Sequence, residues 1–171
     1  IAACKKQNRN AQKALYELYA PKMMAVCLRY CQDNETARDV LHDGFLQVFT
    51  QIGSYSGKGS FEGWLRKIFV NLALENYRQE NYGKENSELF DVPEDDCLEV
   101  GDIPRQELLD IIRKMPEGYR TVFNLVVFED IPHKEIAAML GITENASRSQ
   151  YFRAKTFLQK KVQSMLKKKY I

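Results

Sequence analysis

No apolar run in this chain approaches the roughly 20 residues that a membrane-spanning helix needs, and the N-terminus shows no signal-peptide pattern. Both absences predict a soluble, cytoplasmic protein with no membrane insertion, and Ile1 in place of Met implies that a few native residues precede it. Histidine is scarce, with two in 171 residues. No glycine-rich phosphate loop follows a strand signal, and neither paired carboxylates nor a Ser/His/Asp set converges on a recognisable site, so an enzyme is disfavoured and no catalytic residue or cofactor is assigned. The four cysteines, at 4, 27, 31 and 97, form no C-x-x-C pair and read as reduced thiols of a cytosolic protein. Cys27 and Cys31 stand at i and i+4 and with His42 would supply three ligands of a metal site, but the fourth is missing. Buried small hydrophobes are the simpler reading, and no metal is assigned. Strand signals are nearly absent too. Helical periodicity recurs in almost every window between turn clusters, which predicts an all-α fold.

What the chain does have is charge in blocks. Residues 1–83 carry eleven Lys/Arg against eight Asp/Glu, residues 84–104 one against eight, and residues 105–171 thirteen against seven. The net +2 therefore conceals a basic, acidic, basic order. The middle block also breaks all periodicity and holds Pro93, Pro104 and the run Glu94-Asp95-Asp96, so it reads as a flexible acidic linker between two small helical domains, 1–83 and 105–171. Two basic units suggest two contacts with a polyanion, although most Lys and Arg simply solvate a surface.

In the first unit, Leu15, Leu18 and Tyr19 mark an apolar face, and Pro21 predicts a new turn or kink. Asp33 or Asn34 then caps a helix in which Ala37, Val40, Leu41, Phe45, Val48, Phe49 and Ile52 follow i, i+3, i+4 spacing, leaving Arg38, Asp39, His42, Asp43 and Gln47 on the polar side. After the Gly/Ser loop 53–60, Ser60 caps a helix from Phe61 to about Gln79, whose predicted buried stripe is Phe61, Trp64, Leu65, Ile68, Phe69 and Leu72. Lys67, Asn71, Leu74 and Arg78 line another face, with Arg66 and Tyr77 at its margin. A basic, amide and aromatic surface beside a glycine loop suits single-stranded nucleic acid, which needs phosphate neutralisation beside stacking and hydrogen-bonding groups. Tyr55 and Tyr77 read equally well as half-buried aromatics.

The most specific signal is in the second unit. Glu135 to Lys155 reads as a helix-turn-helix: Ile136, Ala137 and Leu140 pack the first helix, Gly141 supplies a positive φ at the corner, and Thr143 caps the second. Arg148, Ser149, Gln150 and Arg153 lie near the start of that second helix, the part that reaches base edges in a major groove. An ordinary antiparallel helix pair is the bland alternative.

Three blocks then occur in an order that resembles an extracytoplasmic-function (ECF) sigma factor of the bacterial sigma-70 family. Residues 35–49, from Glu35 to Phe49, resemble that family's core-polymerase-binding helix; residues 61–73, from Phe61 to Ala73, resemble its promoter-melting helix; and Met115 through Lys155 resembles region 4. The resemblance implies that domain 1–83 is region 2, which docks on core RNA polymerase through Asp39, Asp43 and Gln47 and recognises and melts the −10 element. Tyr55, Gly57, Lys58, Gly59, Arg66, Lys67 and Asn71 would surround a flipped base there. It implies that domain 105–171 is region 4, reading duplex −35 DNA through Thr143, Arg148, Ser149, Gln150 and Arg153, and that the acidic linker lies in the polymerase's RNA path. The implied partners are core RNA polymerase, promoter DNA and an anti-sigma factor. Members usually carry Gln where this chain has His42, and many carry a basic residue at Gln150. The alternative is a stand-alone helix-turn-helix regulator with a helical dimerisation or sensing domain.

Overall fold

The computed structural model describes residues 1–81 and 103–169, and the chain divides into two compact units, Ile1–Asn81 and Tyr82–Ile171. Every described element is helical. All of the acidic block except Ile103 and Pro104, including Pro93 and Cys97, lies outside the described residues.

The first unit contains α1 (Ala2–Lys5), α2 (Arg9–Tyr30), α3 (Asn34–Gln51), a 3-10 turn over Ile52–Ser54, and α4 (Phe61–Asn81). Side chains start each long helix: Asn8 Oδ1 accepts from Ala11 N, Asp33 Oδ1 accepts from Thr36 N at 2.8 Å, and Ser60 Oγ accepts from Gly63 N. The Thr36 N–H holds the Asp33 carboxyl below the usual carboxylate range. The core is a three-helix pack of Met23, Val26 and Cys27 from α2, Val40, Phe45 and Val48 from α3, and Leu65, Phe69 and Leu74 from α4. Burial pushes the Cys27 thiol up to about 12, with Cys31 adding to the shift, so it stays an unreactive thiol. No group of three or more His, Cys, Asp or Glu able to hold a metal occurs among the described residues, and His42 is exposed while Cys27 and Cys31 are buried.

Helices α3 and α4 meet at Gly44. A Cβ built there would come within 2.7 Å of three ring carbons of Phe69, so only hydrogen fits between the α3 backbone and that ring.

Three sequence expectations change here. A single helix passes through Pro21 with no new turn, and the proline lies on the exposed side of α2. Leu18 is 64% exposed and not on the apolar face. Leu74, expected beside Lys67 and Asn71, is fully buried, because α4 is covered by α2 and α3 on a wider arc than one stripe.

The second unit contains α5 (Arg105–Arg113), α6 (Glu117–Val127), α7 (His133–Leu140) and α8 (Glu144–Lys169). Its core joins Ile111, Ile112 and Met115 to Phe123 of α6 and to Ala154, Leu158 and Val162 of α8. Arg120 is buried and donates from Nη1 to the Arg113 carbonyl at 2.9 Å, satisfying the end of α5 from α6.

Candidate nucleic-acid interface

In the first unit the loop 55–60 is tied at both ends and open at its tip. Tyr55 N–H bonds the Ile52 carbonyl, the Tyr55 hydroxyl donates to the Gly59 carbonyl at 2.9 Å, and its ring packs against Phe61 and Trp64 at centroid distances of 5.1 and 5.6 Å. Between these ties Gly57 and Gly59 both have positive φ (80° and 77°), and Lys58 stands exposed. Lys67 and Asn71, one helical turn apart on α4, are exposed, whereas Arg66 is half-buried and engaged within the protein. Tyr77 belongs to the core, and half-buried Tyr55 and Trp64 pack on each other and on Phe61, with Trp64 stacked on the Phe61 ring at 5.5 Å.

On α3, Asp39 and Asp43 are exposed and Gln47 half-buried. Sequence reasoning gave no role to Leu46, which falls outside the apolar stripe. It is 56% exposed, one turn from both His42 and Asp43, making an apolar spot on an acidic helix face. Its displacement from the i, i+3, i+4 pattern was the available signal.

The second unit holds the helix-turn-helix. Gly141 takes φ 68° and ψ 33° and ends α7, and Thr143 Oγ1 accepts from Ala146 N at 3.0 Å to begin α8. Thr143, Asn145 and Arg148 are exposed on the first turns of α8, and Arg148 Nη2 lies 2.7 Å from Glu144 Oε1. Ser149 and Gln150, assigned from sequence to base reading, are only 4% and 8% exposed. A turn of about 100° per residue swings positions 149 and 150 off the Arg148 face, and both are buried within the unit. Arg153 is half-buried, donating to the Tyr119 hydroxyl at 3.1 Å and lying over that ring. The residues exposed around the start of α8 are therefore Thr143, Asn145 and Arg148, with half-buried Arg153 braced against Tyr119.

His133 closes the corner. Its Nδ1 lies 2.8 Å from the buried Ser147 Oγ, and its ring packs against Tyr151. Burial lowers the His133 pKa, as does Arg148, while Glu144 opposes them. Because the unfolded chain takes up the proton first, this unit should lose stability as pH falls below about 6.5 and through the lower folded value. A fall in melting midpoint over that window, absent in His133→Gln, is the expected result; the same slope in both proteins would exclude His133 as its source.

Residues 15–82 match the family model for Sigma-70 region 2, and residues 105–158 match that for Sigma-70 region 4. The chain belongs to the sigma-70 family. Among similar sigma factors, the ECF RNA polymerase sigma-E factor of Haemophilus influenzae is 27% identical over 93% of this chain and 91% of its own length. The RNA polymerase sigma-H factor of Pseudomonas aeruginosa is 25% identical over 87% and 84%, and the ECF factor SigW of Bacillus subtilis 24% over 96% of each. The sigma-70 branch is thus the ECF one. The fold is also that of the sigma factor RpoE crystallised with the anti-sigma factor NepR from Bartonella quintana (TM-score 0.50, 18% identity, 86% of this chain and 94% of that one). CnrH, solved in complex with the cytosolic domain of CnrY, gives TM-score 0.50 and 17% identity over 95% and 94%.

Proposed function

We infer that this sigma factor binds core RNA polymerase and directs initiation at promoters with −10 and −35 elements, contributing binding energy and no catalysis of its own. The observation that carries this reading is the pairing, in one chain, of an open glycine loop beside exposed Lys67 and Asn71 with a capped helix-turn-helix presenting Arg148. The first suits an unpaired strand and the second a major groove. The α3 face with Asp39, Asp43, Gln47 and the exposed Leu46 is the proposed polymerase contact, apolar at its centre and acidic at its rim. Domain 1–83 then acts as region 2, 105–171 as region 4, and 84–104 as the acidic tether between them. No helix among the described residues is long and apolar enough to cross a membrane; action in the cytoplasm, beside core polymerase, is part of the proposal. An anti-sigma factor is a proposed partner, as in the solved complex of RpoE with NepR. The stand-alone regulator reading is set aside because α2 to α4, which it would use for dimerisation, match region 2.

Run-off transcription from genomic fragments with purified core polymerase is the test. Defined new start sites should appear only when this chain is added, and their absence would remove the function. Within that assay, Asn71→Ala should lower open-complex formation by about tenfold, the scale of one or two hydrogen bonds to a base, with polymerase affinity unchanged. Equal loss of both would take Asn71 out of the pocket.

A further inference from the structure

The segment before α2 precedes the residues that match the region 2 family model, which begin at 15, yet it reaches the candidate base-capturing loop. Helix α1 is held firmly. Cys4 is 1% exposed, Asn8 N bonds back to the Ala3 carbonyl at 3.2 Å, Gln7 turns the chain with φ 60°, and Gln12 Nε2 bonds Gln7 Oε1 at 3.1 Å. From this corner Lys5 extends its ammonium to the backbone carbonyl of Tyr55 at 2.7 Å. Tyr55 is also the residue whose hydroxyl closes on Gly59, so one ammonium fixes the residue that spans the loop's mouth.

We propose that Lys5 is a positioning residue for base selection: by tying the Tyr55 carbonyl to α1 it holds the loop 55–60 in the shape that accepts the preferred unpaired −10 base. This rests on the assignment of that loop to single-strand capture. The physical ground is that a loop with two positive-φ glycines has many alternative shapes, and each tie at its base removes some of them before the base arrives. An ammonium is suited to this place. It gives the carbonyl of Tyr55, the residue that ends the 3-10 turn, a charged donor.

The test uses the full chain assembled with core polymerase on promoters carrying a premelted −10 region, with each unpaired base replaced in turn. Lys5→Met keeps the aliphatic stem and removes the donor, while Lys5→Arg restores one. Lys5→Met should reduce the ratio of open-complex stability between preferred and non-preferred base by roughly three- to tenfold, the scale of a partly exposed charged hydrogen bond. Lys5→Arg should recover most of that ratio, and neither variant should change polymerase affinity or melting temperature. Equal weakening for every base, with the salt slope falling by about 0.7, would make Lys5 a phosphate contact and overturn the proposal. An unchanged ratio in Lys5→Met, with Asn71→Ala still lowering it, would overturn it alone. No base preference in the unsubstituted protein would instead overturn the loop's assignment and the proposal with it.

Discussion

Gly44→Ala is expected to destabilise the first unit by about 3 kcal/mol or more, although alanine is the better helix former by about 1 kcal/mol. The added methyl would overlap three carbons of the Phe69 ring, which is fully buried and edge-packed on Phe45 at 5.3 Å. A flexible side-chain end would move aside, but a ring held on all sides cannot, so α3 and α4 must part or Phe69 must leave its rotamer. Either response exceeds the propensity gain. For a unit of this size the midpoint of thermal unfolding should fall by at least about 10 °C. Trp64, the single tryptophan of the chain, stands in this unit and reports its unfolding without a signal from the other. Gly44→Ala combined with Phe69→Leu should regain part of the loss, because the leucine lacks the offending ring edge. A midpoint equal to or above that of the unsubstituted protein would show that the two helices do not approach as closely as described.

Arg148→Ala should abolish most of the −35 preference, by about 10- to 100-fold, if the guanidinium makes one good bidentate contact worth about 1–3 kcal/mol. The informative contrast is its neighbour. Gln150→Ala should leave the base preference intact and lower the stability of the second unit, because the Gln150 side chain is enclosed and its removal leaves a cavity. Transcription from promoters substituted position by position in the −35 element separates the two. Loss of base preference in Gln150→Ala with an unchanged melting temperature would restore the sequence-based assignment and refute the inward orientation.

Much of the architecture was legible in the residues. Asp33, Ser60 and Thr143 announce their helices because a short side-chain oxygen at that position has a backbone N–H within reach, a local relation independent of the rest of the fold. Gly141 was legible for the same reason. Exposure was harder to read, because it is set by what packs against an element and not by the element itself. Leu74 and Tyr77 follow from how many helices cover α4, and Ser149 and Gln150 from the direction in which α8 leaves the corner. Pro21 misleads for a related reason: a proline costs a hydrogen bond, but a long helix anchored on both sides absorbs that cost at a wet position. The tie from Lys5 to Tyr55 spans 50 residues and ends on a backbone atom, so no pattern of residue types could announce it.

With Arg148 reading a base as proposed, its pairing with Glu144 would bear on how this protein searches a genome. In the free protein the arginine already has a partner 2.7 Å away, so meeting a guanine exchanges one set of acceptors for another. Only the difference is gained, and a mismatched base, offering nothing better, returns the side chain to its carboxylate. On that proposal, this competition would shorten dwell times at wrong sites and raise selectivity at the expense of grip. An arginine without such a neighbour would cling to any phosphate it met.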